Sequence, residues 1–157
     1  RFPPEVAAVL AAGGWRVSEV DHMLAEAWTG EVLAVPGAEH RHVDLPAARQ
    51  AMTGLVGAVA GRRGPGLAHW IRVFEINPVA AAHSADILAD FGTLIGARLF
   101  PLGTEGDNDS ILAIDEHGRV FALDQAGEWF LGATADAAVV ALVTGQRAAR
   151  VRDDGTW

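Results

Sequence analysis

The chain predicts an α+β domain: one central mixed or antiparallel sheet with helices packed against it. Two observations carry that reading. Residues 111–114 and 119–123 are short runs, apolar on both faces, joined by Asp115-Glu116-His117-Gly118. Such strands belong in the middle of a covered sheet, and the glycine supplies the positive φ that the hairpin needs. Around them lie stretches of helical period, clearest at Ile87, Leu88, Phe91, Leu94 and Ile95, which place apolar side chains on one stripe. A chain of 157 residues fits one domain that buries roughly two-thirds of its unfolded surface.

Taken in order, Pro3 and Pro4 suit the first turn of a helix. Val6, Val9 and Leu10 share its face and Gly13-Gly14 ends it. Ser18 is placed as the N-cap of a second helix, carrying Val20, Leu24, Ala27 and Trp28 to a stop at Gly30. Residues 31–35 read as a short strand. Asp44 caps a third helix with Ala48, Met52, Leu55, Val56 and Val59 inward. Arg62-Arg63-Gly64-Pro65-Gly66 is a turn, and residues 67–76 form a strand ended by Asn77-Pro78. Ser84 caps the fourth helix. Residues 98–103 are a strand feeding a polar loop, 104–109, and residues 128–131 add an edge strand. Thr134 caps a last helix with Val139, Val140, Leu142 and Val143 inward and Gly145 as its stop. Residues 146–157 read as a charged tail with little to bury, which sets the domain at 1–145.

Composition narrows the function. Half of the residues are apolar and a fifth are charged, as in globular proteins. Cysteine is absent, which removes disulfides, thiolate metal sites and a cysteine nucleophile, and suits a reducing compartment such as the cytoplasm. No apolar run approaches the ~20 residues that cross a bilayer, so no membrane role is expected. The chain opens at Arg1 with no Met and no basic-then-apolar leader, which reads as a trimmed or processed N-terminus. All twelve basic side chains are Arg, and Tyr is missing; with abundant Ala, Gly and Val, this is the usage of a GC-rich bacterial genome. The net charge of −8 repels phosphate backbones and argues against nucleic acid as a partner. It favours a basic protein partner and speeds encounter with it, or serves solubility alone.

The residues that carry chemistry in other proteins are not arranged for it. Glu105 with Asp107-Asn108-Asp109 is the densest acidic cluster, but the twelve-residue spacing of a Ca²⁺ loop, with its Gly and final Glu, is missing. The cluster stands open between a solvated loop and an acidic contact for a basic protein. His40-Arg41-His42 lacks a third ligand at zinc spacing, and there is no HExxH. His22, His69, His83 and His117 are scattered. Ser18, Ser84 and Ser110, the only serines, are not in G-x-S-x-G, and no glycine run forms a phosphate cradle. Asp115-Glu116 and Asp153-Asp154 fall in a turn and a tail, without the burial that raises a catalytic pKa. No cofactor or metal is expected. Among five tryptophans, Trp15 and Trp129 read as core and Trp157 as the least buried, either an interface anchor or part of a disordered tail.

Several of these segments together resemble the SUKH superfamily: Arg98-Leu99-Phe100-Pro101-Leu102-Gly103, then Leu112-Ala113-Ile114-Asp115-Glu116-His117-Gly118-Arg119-Val120-Phe121, then Gly132 ahead of an Ala-rich helix. Arg1-Phe2-Pro3-Pro4-Glu5-Val6, running to Ala12-Gly13-Gly14-Trp15, and Phe74-Glu75-Ile76-Asn77-Pro78 are similar to its third subfamily. The likeness spans residues 2–145. It thins across 31–63, where Thr53-Gly54-Leu55-Val56-Gly57 stands in for an aromatic-Gly-Gly signature. The resemblance implies a non-enzymatic immunity protein. Such proteins bind and neutralise a cognate secreted toxin, a nuclease or a nucleic-acid deaminase among others, inside the producing bacterium. It brings no catalytic residues. The contact residues expected are Glu105, Asp107, Asn108, Asp109 and Glu116. The alternatives are a regulatory or scaffold protein of the same fold, or a small enzyme built around the histidines.

Overall fold

The first helix of the computed structural model starts where the prolines place it, and the structure describes residues 1–17, 20–35, 42–107 and 109–157. Helix α1 is Pro4–Ala12, burying Val6 and Leu10. Helix α2 is His22–Leu33, capped by Asp21, whose carboxylate accepts the Leu24 N–H at 2.8 Å. The cap expected at Ser18 lies outside the described residues. The strand expected at 31–35 is instead the last turn of α2: Val32 faces the core with Ala25 and Thr29, and that spacing is helical.

Helix α3, Pro46–Leu55, buries Ala48, Met52 and Leu55. It stops four residues before Val59, which enters strand β1, Val59–Ala60. Asp44 does not cap α3; it grips Arg49 with bonds of 2.7–3.0 Å. The strand expected across 67–76 is two separate pieces. Gly64–Pro65 (β2) pairs with Trp70–Ile71 (β3) as an isolated hairpin, and Phe74–Glu75 (β4) joins the main sheet. Burial explains the break: Ile71 and Phe74 are both buried, and an odd spacing cannot keep two side chains on one face of a flat strand.

After a 3-10 turn, Pro78–Ala81, helix α4 runs Ala85–Ile95. Ser84 precedes it, but its hydroxyl donates backwards to the Ala81 carbonyl at 2.5 Å. Strands β5 (Leu99–Glu105), β6 (Ser110–Asp115), β7 (Val120–Asp124) and β8 (Gly127–Gly132) then form an antiparallel meander. Helix α5, Ala135–Thr144, is capped by Thr134, whose Oγ1 accepts the Ala137 N–H at 3.1 Å, and ends at a left-handed Gly145. Strand β9, Ala149–Arg150, closes the far edge beside β8.

Among the described residues the main sheet has the order β1-β4-β5-β6-β7-β8-β9, antiparallel throughout, with β6 at its centre. The protein is thus a single-domain α+β fold. Gly103 makes the β4–β5 contact possible, because a Cβ there would lie 1.9 Å from the Glu75 carbonyl oxygen. One face of the sheet packs Phe100, Leu112, Ile114 and Val120 against α1, α2, α3 and α5. The other packs Leu99, Ala113, Phe121 and Leu123 against Leu88 and Phe91 of α4. Apolar residues on both faces of β6 and β7 are what two covered faces require.

The last residues do more than the charged tail expected of them. Val151 is buried, and Trp157 stacks on Phe130 at 5.0 Å and meets Phe121 edge-on at 5.3 Å. Trp157 thereby closes the second core beside α4.

Candidate functional site

The turn between β5 and β6 and the β2–β3 hairpin come together at one end of the sheet. Asp107 pairs with Arg63 at 3.2 Å, both largely in solvent, and Asp109 pairs with Arg72. The Gly106 N–H donates to the Val73 carbonyl at 2.7 Å, which ties the acidic loop to the chain beyond the hairpin. Exposed pairs of this kind contribute only about 0–1 kcal/mol each; their effect here is to hold two segments in register. Asn108 lies outside the described residues.

Glu105, at the end of β5, points elsewhere. It lines a cleft of about 480 Å³ whose walls include Trp129, Leu131, Leu142, Ala122, Arg72 and Arg147. Burial raises its pKa above the usual carboxylate value; nearby Arg72 works against this, while Asp109 and Asp124 add to it. Trp129, expected in the core, forms part of this cleft and is only partly buried.

Glu116 is not part of this group. It sits in the β6–β7 turn, at the opposite end of β6, and a six-residue strand separates its ends by roughly 17–20 Å. It accepts from the Arg98 backbone N–H at 3.0 Å and from the Arg98 guanidinium at 2.9 Å. The Arg98 side chain holds its pKa below the ordinary value. The structure therefore brings Glu105, Asp107 and Asp109 to one end and leaves Glu116 at the other.

Two residues absent from the expected contact set stand out. Leu67 and Trp70 on the β2–β3 hairpin are 77% and 63% exposed. The hairpin tip is bonded to the end of α5: the Leu67 N–H donates to the Thr144 carbonyl at 2.8 Å, and the Ala68 and His69 N–H groups donate to Gly145 at 2.7 and 3.2 Å. These carbonyls are among those a helix leaves without internal partners. No local pattern marked Leu67 and Trp70: Ile71 is buried, and alternation along β3 turns Trp70 outward.

Gly66 sits at the crossing, where a Cβ would come within 2.6–2.8 Å of the His69 oxygen, Gly145 Cα and the Thr144 oxygen. All three are main-chain atoms, so the hairpin must shift. Gly66→Ala is expected to destabilise the protein by about 1–3 kcal/mol and to free the Leu67 and Ala68 amides to exchange with solvent. Hydrogen exchange measured residue by residue checks this; unchanged protection would refute it.

His42, one of the expected histidine pair, is packed into the fold. His42 is 8% exposed, its Nε2–H donates to the Ala82 carbonyl at 2.8 Å, and its ring lies 5.9 Å from that of Phe100. His40 lies outside the described residues. Among the described residues, no three His, Asp or Glu side chains converge as a metal site would require. Burial lowers the pKa of His42, with the Ala82 bond opposing. The unfolded chain therefore takes up the proton first as pH falls. This contribution to stability is whole above about pH 6.5 and is lost as pH drops from there through the lowered value of the folded chain. The urea midpoint should fall between about pH 7.5 and 5.5, and His42→Gln should flatten that slope. Equal slopes in the two proteins would show that His42 is not the group responsible.

Comparison with known proteins supplies the family. No curated protein and no solved structure matches the chain. The family model described as SUKH-3 immunity protein matches residues 2–145, the span over which the sequence resemblance was drawn. With that match covering most of its length, the chain belongs to the SUKH-3 immunity protein family.

Proposed function

We propose that this protein binds and neutralises a cognate polymorphic toxin inside the bacterium that makes both. The family match over residues 2–145 is the observation that carries the reading, and residues 1–145 are taken as the immunity domain. The protein works by occupying the toxin's active site, so its own chemistry is that of recognition. A net charge of −8 draws a basic toxin surface towards it and speeds encounter. Toxins that act on nucleic acid, nucleases or deaminases, present such surfaces, because their substrates are polyanions.

Of the residues expected to make contact, Glu105, Asp107, Asn108 and Asp109 are taken as the contact set. Asp107 and Asp109 already hold arginines, so their contribution is to position the loop as much as to attract. Among the described residues, no helix is long and apolar enough to cross a membrane, which is compatible with action in the cytoplasm. The test is to co-express the chain with the protein encoded immediately upstream and titrate the two by calorimetry in moderate salt. A dissociation constant in the nanomolar range, about −12 kcal/mol, with loss of the upstream protein's activity is expected. No heat at micromolar concentrations would remove that protein as the partner.

A further inference from the structure

The end of the sheet that carries the β5–β6 turn combines features that surface loops seldom share. Leu67 and Trp70 are large, apolar and open to solvent. Their backbone is fixed by hydrogen bonds to the end of α5 and by the buried Ile71. A partner would therefore meet them already ordered, at little entropic cost. Isolated exposed apolar residues are common; a rigid Trp beside an open cleft is the arrangement that anchors interfaces.

The cleft beside the hairpin has an apolar floor of Ala122, Leu131 and Leu142, one aromatic wall, Trp129, and Glu105. The Glu105 carboxylate accepts no hydrogen bond from, and makes no ion pair with, the described residues, although Arg72 is near enough to act on its charge. The Arg72 guanidinium is engaged by Asp109. Around Glu105, the carboxylates of Asp109 and Asp124 add negative charge. A carboxylate held partly out of water, with water as its donor in place of a protein group, gains from an arriving cation.

We infer that the β2–β3 hairpin and this cleft form the face that receives the toxin, with the cleft taking an arginine side chain. Its aliphatic stem lies on the apolar floor beside Trp129, whose ring already has this chain's own Arg150 over it at 6.0 Å, its guanidinium bonds Glu105, and Leu67 and Trp70 pack outside it. Arginine suits the cleft better than lysine, because a planar guanidinium forks onto a carboxylate with two bonds where an ammonium is a point charge. The inference rests on the immunity reading for the identity of the partner, while the arginine preference of the cleft stands separately.

Two measurements separate them. N-acetyl-arginine methylamide is titrated into the chain while the Trp129 indole N–H is followed by NMR, with the norleucine analogue as control. A saturable shift with arginine alone is expected, weakened about tenfold by Glu105→Gln. Glu105→Gln should also raise the melting temperature of the free chain, because it removes a partly buried charge. A structural role for Glu105 would lower it. In the complex with the upstream-encoded protein, Trp70→Ala should weaken binding about thirtyfold and Glu105→Gln about tenfold. No saturable arginine shift overturns the cleft assignment, whatever the toxin does. Wild-type binding with both variants equally tight overturns the face. Failure of the wild type to bind removes the upstream-encoded protein as the partner, and the arginine titration then decides the cleft.

Discussion

Replacing Phe121 by Ala should cost about 3–5 kcal/mol, the range for a buried aromatic truncated in a packed core. Phe121 is fully buried at the centre of the second core. Its ring meets Phe91 at 5.2 Å, Phe130 at 5.7 Å and Trp157 at 5.3 Å, each edge to face. One substitution therefore removes contacts to α4, to β8 and to the C-terminal segment together. The cavity cannot be filled by collapse, because the surrounding rings are fixed by the sheet and by one another. Against a total stability of about 5–15 kcal/mol, the loss should appear as a large drop in urea midpoint. A cost below about 1 kcal/mol would mean that α4 and Trp157 are not packed on this ring.

Asp115→Ala should cost about 3 kcal/mol, by a different mechanism. Asp115, expected in a turn without burial, is instead the fully buried last residue of β6, and its carboxylate organises the β6–β7 turn. One oxygen accepts the His117 and Arg119 N–H groups, each at 2.9 Å, and the other accepts Arg119 Nε at 2.6 Å. Removing it leaves two backbone donors and a guanidinium without their acceptor. The same guanidinium lies 5.2 Å from the Trp157 ring, so the damage extends to the second core. Asp115→Asn keeps an oxygen for the turn amides and loses the charge for Arg119; its cost should fall between those of wild type and Asp115→Ala. If Asp115→Asn equals wild type, the ion pair contributes nothing and the turn bonds carry the effect.

The parts of the fold legible in the sequence are those where local pattern and tertiary need coincide. The β6–β7 strands are apolar on both faces because both faces are covered, and Gly118 turns at φ 85° between them. Helix α5 declares itself by Thr134 and Gly145, which do at its ends what those residue types do in isolation. Residues 31–35 misled because Val32 and Leu33 satisfy a strand's composition while completing a helix begun at His22. The stretch 67–76 misled because hydrophobicity alone does not show that two buried residues sit at odd spacing. Residues 146–157 misled because a two-residue edge strand bearing Arg150 has no apolar period, and its burial rests on Val151 and Trp157 alone.

The candidate site was legible in part. The acidic loop lies beside the exposed hairpin, as its polar composition allowed, but the pairing of Asp107 with Arg63 and Asp109 with Arg72 depends on contacts between distant segments. Glu116 was separable from the others in principle, since a strand of known length lies between. The cleft of Glu105, Trp129 and Leu142 gathers residues from β5, β8 and α5, and no local pattern marks it.

Neutralisation of a toxin by this chain has a direct readout in growth. Cells expressing the upstream-encoded protein alone are predicted to arrest, and cells expressing it together with this chain are predicted to grow. Arrest that persists with both proteins folded and present would contradict the claim.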